Sequence, residues 1–178
     1  NKSVSIGGVL SLQNGNFTIR ASDTIRMRTS AAIAGAPFST SKHIITEASG
    51  GLIGKFRMDS ILTASLLPIG TSSHYLPVTL DFANYTNVYT SVYEGMTQDG
   101  TLTGTSLTTQ QLSKVVNAVW DITRSTGETS GNMQLGWSQD LEGATFSGLA
   151  DGQIGVIQHD GTAWGQPIGS ALNSTNQA

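Results

Sequence analysis

Two prolines, Pro68 and Pro77, bracket the segment Ile69-Gly70-Thr71-Ser72-Ser73-His74-Tyr75-Leu76, which limits the folds open to this chain more than any other stretch. Proline has no backbone donor, so each of the two marks a strand end or a sheet edge. Gly70 suits the turn between them, because without a Cβ it can take a backbone angle closed to other residues. Directly after Pro77 the chain alternates. Val78, Leu80 and Phe82 fall on one face, and Thr79, Asp81 and Ala83 on the other. A polar corner that feeds a half-buried strand predicts β-structure with this corner as its organising element.

The rest of the chain follows the same grammar. Val4 to Ile6 and Val9 to Leu12 are short apolar runs, and Asn14-Gly15 predicts a two-residue hairpin. In Asp23 to Thr29, Ile25, Met27 and Thr29 share one face, with Arg26 and Arg28 on the other. That arginine pair reads as a solvated strand face; an anion-binding ridge is the other reading. Residues 30–41 are small and polar and predict a long loop. Further strands are expected near His43 to Ala48, Leu52 to Met58, Pro77 to Ala83, Asn87 to Met96, Val115 to Arg124, Met133 to Trp137, Gln153 to Gln158 and Thr162 to Ile168. Thr108 and Gln111 have the spacing of a capping box, which predicts one helical turn.

Many short strands with glycine turns and almost no helical period predict an all-β fold, specifically an antiparallel β-sandwich with an additional N-terminal strand layer. Trp120, Trp137, Phe82 and Val78 are expected between the sheets. Residues 1–35 read as an N-terminal strand segment, either an extension or a donor strand, and 36–178 as the sandwich; the first thirty residues either extend one sheet or add a small solenoid-like layer. No internal period of 20 to 50 residues is visible.

Composition narrows the function classes. Charged residues make up only 12% of the 178, about half the usual share, so solubility must rest on Ser, Thr, Asn, Gln and Gly. That pattern favours secreted β-proteins. A net charge of -3 argues against a nucleic-acid partner, which calls for a basic face. The absence of cysteine excludes a disulfide framework and thiolate chemistry. No stretch is apolar enough for a membrane span. A start at Asn1 rather than Met reads as a processed or excised chain.

No catalytic constellation stands out. His43, His74 and His159 lack metal-ligand spacing and read as strand or turn surface. No nucleophile elbow occurs. Glu94, Asp121 and Glu142 are the acids best placed to project from strands, as an unmarked hydrolase pair would. Asp99-Gly100, Asp151-Gly152 and Asp160-Gly161 fit hairpin turns better than calcium ligands. No metal and no cofactor is expected. Trp164, Tyr89 and Tyr93, with Tyr85, are the aromatics that a carbohydrate platform would use, although Trp120 and Trp137 read as core. Asn16, Asn84 and Asn173 each open an N-glycan sequon.

The Pro68-Ile69-Gly70-Thr71 and Tyr75-Leu76-Pro77-Val78-Thr79-Leu80 arrangement resembles a turn that recurs in modules of large adhesin-like surface proteins of gliding bacteria using type IX secretion. Lys42 to Phe56 upstream, and Val116 to Ile122 and Gly161 to Trp164 downstream, resemble flanking landmarks, so the likeness covers residues 42–165. Ile69 stands where valine is commoner, and Leu67 where phenylalanine is. The resemblance implies a β-sandwich module without a catalytic motif. Asp23-Thr24-Ile25 and Asp59-Ser60-Ile61 resemble the O-glycosylation acceptor of the same phylum, which implies modification at Thr24 and Ser60.

The expected function is therefore a non-catalytic structural or adhesive module of a secreted or cell-surface protein, with a filament subunit as one form of it. The alternative is a carbohydrate-binding module. Expected partners are neighbouring copies or adjacent domains by strand addition, and glycans. Asn1 to Leu12 is the candidate donor; pairing within its own sheet is the competing expectation.

Overall fold

The computed structural model describes residues 2–127, 130–150 and 152–169. The chain opens as a parallel coil. Strands β1 (Ser3–Ile6), β2 (Val9–Ser11) and β3 (Phe17–Ile19) form a first turn, and β4 (Thr24–Met27), β5 (Ala32–Ala34) and β6 (Ile44–Thr46) a second. A small antiparallel pair, β7 (Ala48–Ser49) with β8 (Leu52–Ile53), leads into β9 (Lys55–Ile61). The chain continues through β10 (Ser65–Leu67) to β11 (Ile69–Gly70). Parallel ladders join the turns: β1 to β4 to β9, β2 to β5, and β3 to β6 to β11. Coil corners at Arg20–Asp23 and Arg28–Ala31 close alike. The fourth backbone N–H bonds to the first carbonyl at 2.9 Å, and the third residue, Ser22 or Ser30, has φ of 71°.

Antiparallel structure then covers the far side. Strand β12 (Val78–Phe82) lies between β10 and a last strand described below, and β13 (Thr86–Glu94) pairs with β9. The helical turn α1 (Thr109–Leu112) has the predicted capping box, with Thr108 N–H on Gln111 Oε1 at 2.9 Å. Strand β14 (Ala118–Thr126) pairs with β13, and β15 (Gly131–Leu135) with β12. The main sheet thus has the order β1-β4-β9-β13-β14.

The all-β expectation holds, but the N-terminal strands are not antiparallel, and pairing runs across residue 35 because β4 pairs with β9. Asn14-Gly15 makes no hairpin. Its flanking strands pair with β5 and β6 instead, so the turn is a coil corner. The segment expected as donor pairs within its own chain, through β1 and β2. The two last expected strands reduce to single bridges, Val156 with Ile168 and His159 with Trp164. No helix among the described residues is long and apolar enough to cross a membrane.

Registered side chains build the core. Ile25 stacks on Phe56, Met27 on Met58, and Ile44 between Phe17 and Ile69. Val78 and Trp137 are buried as expected, and Leu80 with them, whereas Phe82 and Trp120 are half-buried, the Trp120 indole N–H on the Leu76 carbonyl at 3.1 Å. Thr46 ties the coil to β13. Its buried hydroxyl donates to the Val92 carbonyl and accepts from the Val92 N–H, both at 3.0 Å. The β9–β13 ladder ends at Thr90, so this side chain replaces the next rung. Thr46→Val strands two buried backbone groups, at about 1–3 kcal/mol each. Chemical denaturation is expected to show that loss; a midpoint within error of the parent contradicts the role.

Candidate functional site

The corner between Pro68 and Pro77 is where polar side chains converge. Its turn closes when Thr71 N–H bonds to the His74 carbonyl at 2.9 Å. The Thr71 hydroxyl accepts from the N–H of Ser73 and of His74 and donates to Glu94. Gly70 is required here for space rather than for an unusual φ. A Cβ would sit 2.2 Å from the His74 carbonyl oxygen and 2.7 Å from the His43 ring.

Two histidines line this corner, and neither is ordinary surface. His43 is fully buried; its Nδ1 faces the Ser39 carbonyl at 3.0 Å and its Nε2 the Thr71 carbonyl at 2.8 Å. This corrects the surface reading of His43. The ring packs against Tyr75 at 5.8 Å, and its backbone N–H is held by Asn16 Oδ1 at 2.9 Å. Asn16 is thus a structural residue, while Asn173 lies outside the described residues.

His74 lies between two carboxylates. Nδ1 is 2.8 Å from Glu94 Oε1, and Nε2 is 2.8 Å from Asp140 Oδ2. Both nitrogens donate at once only when the ring is protonated. Partial burial pulls the His74 pKa down, but the bonds to Glu94 and Asp140 and their negative charges outweigh it, so the net shift is upward. Hydrogen bonds from Ser138 and His74 hold the Asp140 carboxyl below its ordinary value. Glu94 ends β13 and Asp140 lies in the short 3-10 turn Gln139–Leu141, so the protonated ring clamps three separate segments together.

A raised folded pKa fixes the sign of the pH effect. The clamp contributes in full below the unfolded histidine value of about 6.5 and fades as pH rises through the folded value. Thermal unfolding is expected to show a midpoint that falls over this alkaline-going range and a smaller fall in His74→Gln. Equal pH dependence in the two chains contradicts the clamp.

Other polar groups are also spoken for. Asp99 Oδ1 accepts from Thr101 N–H and hydroxyl, and Asp160 Oδ1 from the N–H of Thr162 and Ala163, so both close their own turns. Asp151 lies outside the described residues. Among the described residues no group of three or more His, Asp or Glu is arranged to hold a metal ion. Glu142 accepts from the Trp137 indole N–H at 2.9 Å, and Asp121 from the Thr123 hydroxyl.

The platform aromatics are not brought together. Tyr93 is buried, donates to the Gly100 carbonyl at 2.7 Å, and burial together with Asp121 and Asp99 pushes its pKa up to about 12. That removes Tyr93 as an exposed ring. Tyr89 is half-buried beneath Arg57, whose Nη1 donates to its hydroxyl at 2.7 Å. Trp164 is half-buried; its indole N–H donates to the Thr97 carbonyl at 2.8 Å and its ring stands edge-on to His159. Tyr85 is exposed.

Thr24 is half-exposed in β4, and the neighbouring Asp23 carboxylate accepts from Lys2 N–H at 2.6 Å. Ser60 is half-buried with φ of 59°, and its hydroxyl shares a bond with Thr29 at 3.0 Å. Asp59 in the same triplet is buried and bound by two arginines. Arg26 Nε lies 2.6 Å from one carboxylate oxygen and Arg57 Nε 2.6 Å from the other. Arg26 and Arg57 are direct neighbours across the ladder, so Asp59 cancels a like-charge contact. Arg26 is therefore an ion-pair partner rather than part of a free ridge.

No family model matches the chain, and no curated protein or solved structure matches it.

Proposed function

We propose that the chain is a non-catalytic structural or adhesive module of a secreted or cell-surface protein. The observation that carries this reading is the coil, whose turns stack through parallel ladders and meet an antiparallel layer on one side. Stacked coils are scaffolds whose stability comes from contacts between neighbouring turns. The polar clusters support the same reading, because His74 and Asp59 are each consumed in holding segments together. So does the likeness of the Pro68–Leu80 corner to surface modules of gliding bacteria.

Thr24 and Ser60 are its proposed O-glycosylation positions. Thr24 is the readier acceptor, since modifying Ser60 breaks its bond to Thr29. Mass spectrometry of native peptides spanning both is expected to find added mass on Thr24; unmodified peptides remove the idea.

The function is tested with the full chain on a glycan array, followed by tryptophan fluorescence titration with any sugar retained. No saturable binding is expected, and antibodies against the chain are expected to label intact source cells. A saturable shift abolished in Trp164→Ala overturns the reading in favour of a carbohydrate-binding module, because Trp164 is half-buried rather than enclosed.

A further inference from the structure

Both outer strands of the main sheet, β1 and β14, are edges. Their directions are related. β1, β4 and β9 run parallel, β13 runs against β9, and β14 runs against β13. Strand β14 therefore runs in the same direction as β1. A copy placed in line beyond β14 meets it with a strand of that direction, and the pairing is parallel, as it is within the coil.

The faces agree as well. Val4 is registered with Ile25 and Phe56 on the side that faces the core. Phe56 is fully buried, yet Val4 is 53% exposed, and among the described residues β1 ends the strand order on that side. At the other edge, Trp120 and Ile122 are registered with Val92 and Thr90, both buried, and are themselves only half-buried. Continuing the sheet from β14 to a second β1 along the same rows sets Val4 beside Ile122, apolar against apolar, with Trp120 next on that face. The half-buried Leu10 and Phe17 lie on the other strands of the same first turn and add to the apolar end.

The backbone of β1 is also prepared for it. Thr24 N–H bonds to the Lys2 carbonyl and Arg28 N–H to the Ile6 carbonyl. In a parallel ladder alternate residues face opposite neighbours, so Ser3 and Ser5 present their N–H and C=O groups away from β4. Neither edge carries proline, and β1 carries no charge, although β14 carries Asp121 and Arg124, so the guards against strand addition are thin at β1.

We infer that the partner at the β1 edge is a second copy of this chain, added head to tail so that its β14 pairs in parallel with β1. The contact joins two different surfaces, so it repeats without closing and gives an open filament. This deepens the structural-module reading and rests on it.

The chain has no cysteine, which permits an unambiguous cross-link test. Ser5→Cys and Thr123→Cys place single thiols on the outward face of β1 and β14 respectively, in two full-length chains. Mild oxidation of an equal mixture is expected to give the mixed dimer in a clearly larger share than random pairing of the two chains produces. In sedimentation, the cysteine-free chain is expected to form higher-mass species as concentration rises, and Ser5→Pro, which removes an outward N–H of β1, to lose them while keeping the parent's unfolding transition. A strictly monomeric chain overturns the inference, as does an excess of Ser5→Cys self-dimers, which indicates head-to-head pairing. A monomer that binds no glycan sinks the inference alone; saturable glycan binding sinks the module reading.

Discussion

Phe56→Ala is expected to lower the unfolding free energy by about 3–5 kcal/mol, the usual result of emptying an aromatic site in a packed core. Phe56 is fully buried at the junction of the two halves of the fold. On one side it is registered with Ile25 of the coil, and on the other with Thr90 of β13. The Thr90 hydroxyl also donates to the Phe56 carbonyl at 3.1 Å, so backbone and ring are both fixed and the site cannot readily collapse. Phe17→Ala, at the half-buried first turn, is expected to cost clearly less. Urea unfolding of both variants measures the difference. Equal losses contradict the placement of β9 at the centre.

Asp59→Ala is expected to destabilise by about 2–3 kcal/mol. Removing one member of a buried ion cluster costs more than that, but Arg26 is partly exposed and regains water. Arg57 is more deeply set and keeps only its bond to Tyr89. The pH signature is specific. Burial raises the Asp59 pKa, but the hydrogen bonds and charges of Arg26 and Arg57 outweigh it and hold the carboxyl below its ordinary value. Its contribution is therefore present above about pH 3.8 and is lost as pH falls through the lowered folded value. Denaturant titrations in acid are expected to show that loss in the parent and its absence in Asp59→Asn. A variant that retains the full acid slope contradicts the assignment.

Face alternation was readable from sequence where strands are regular. Ile25 and Met27 point inward and Arg26 outward, and Val78 and Leu80 are buried. Strand direction was not readable. An apolar alternation looks the same in a parallel or an antiparallel neighbour, and Asn14-Gly15 serves a coil corner as well as a hairpin. The coil also hides its period. Registered partners lie 21 residues apart for Ser3 and Thr24, 23 for Val9 and Ala32, 27 for Phe17 and Ile44, and 31 for Thr24 and Lys55. Loops of unequal length erase any repeat.

The Pro68–Pro77 corner was recognisable as a turn, but not its chemistry. Glu94 and Asp140 stand 20 and 66 residues from His74, so no local spacing announces them. The Asp59 cluster left a weak trace. Arg26 and Arg57 each lie between apolar neighbours, so a charge at either invites a partner on the same face.

Strands β4 and β9 run parallel in register, which makes the N-terminal half a coil. Thr24 and Lys55 are direct partners across that ladder, at the close spacing of neighbouring strands that suits a disulfide. The doubly substituted chain Thr24→Cys/Lys55→Cys is the most direct test, read by peptide mapping after oxidation. A near-complete intramolecular disulfide is expected, with the native unfolding transition retained. Antiparallel pairing of the same strands brings Thr24 to the other end of β9 instead. A chain that links Thr24→Cys to Ser60→Cys but not to Lys55→Cys contradicts the coil.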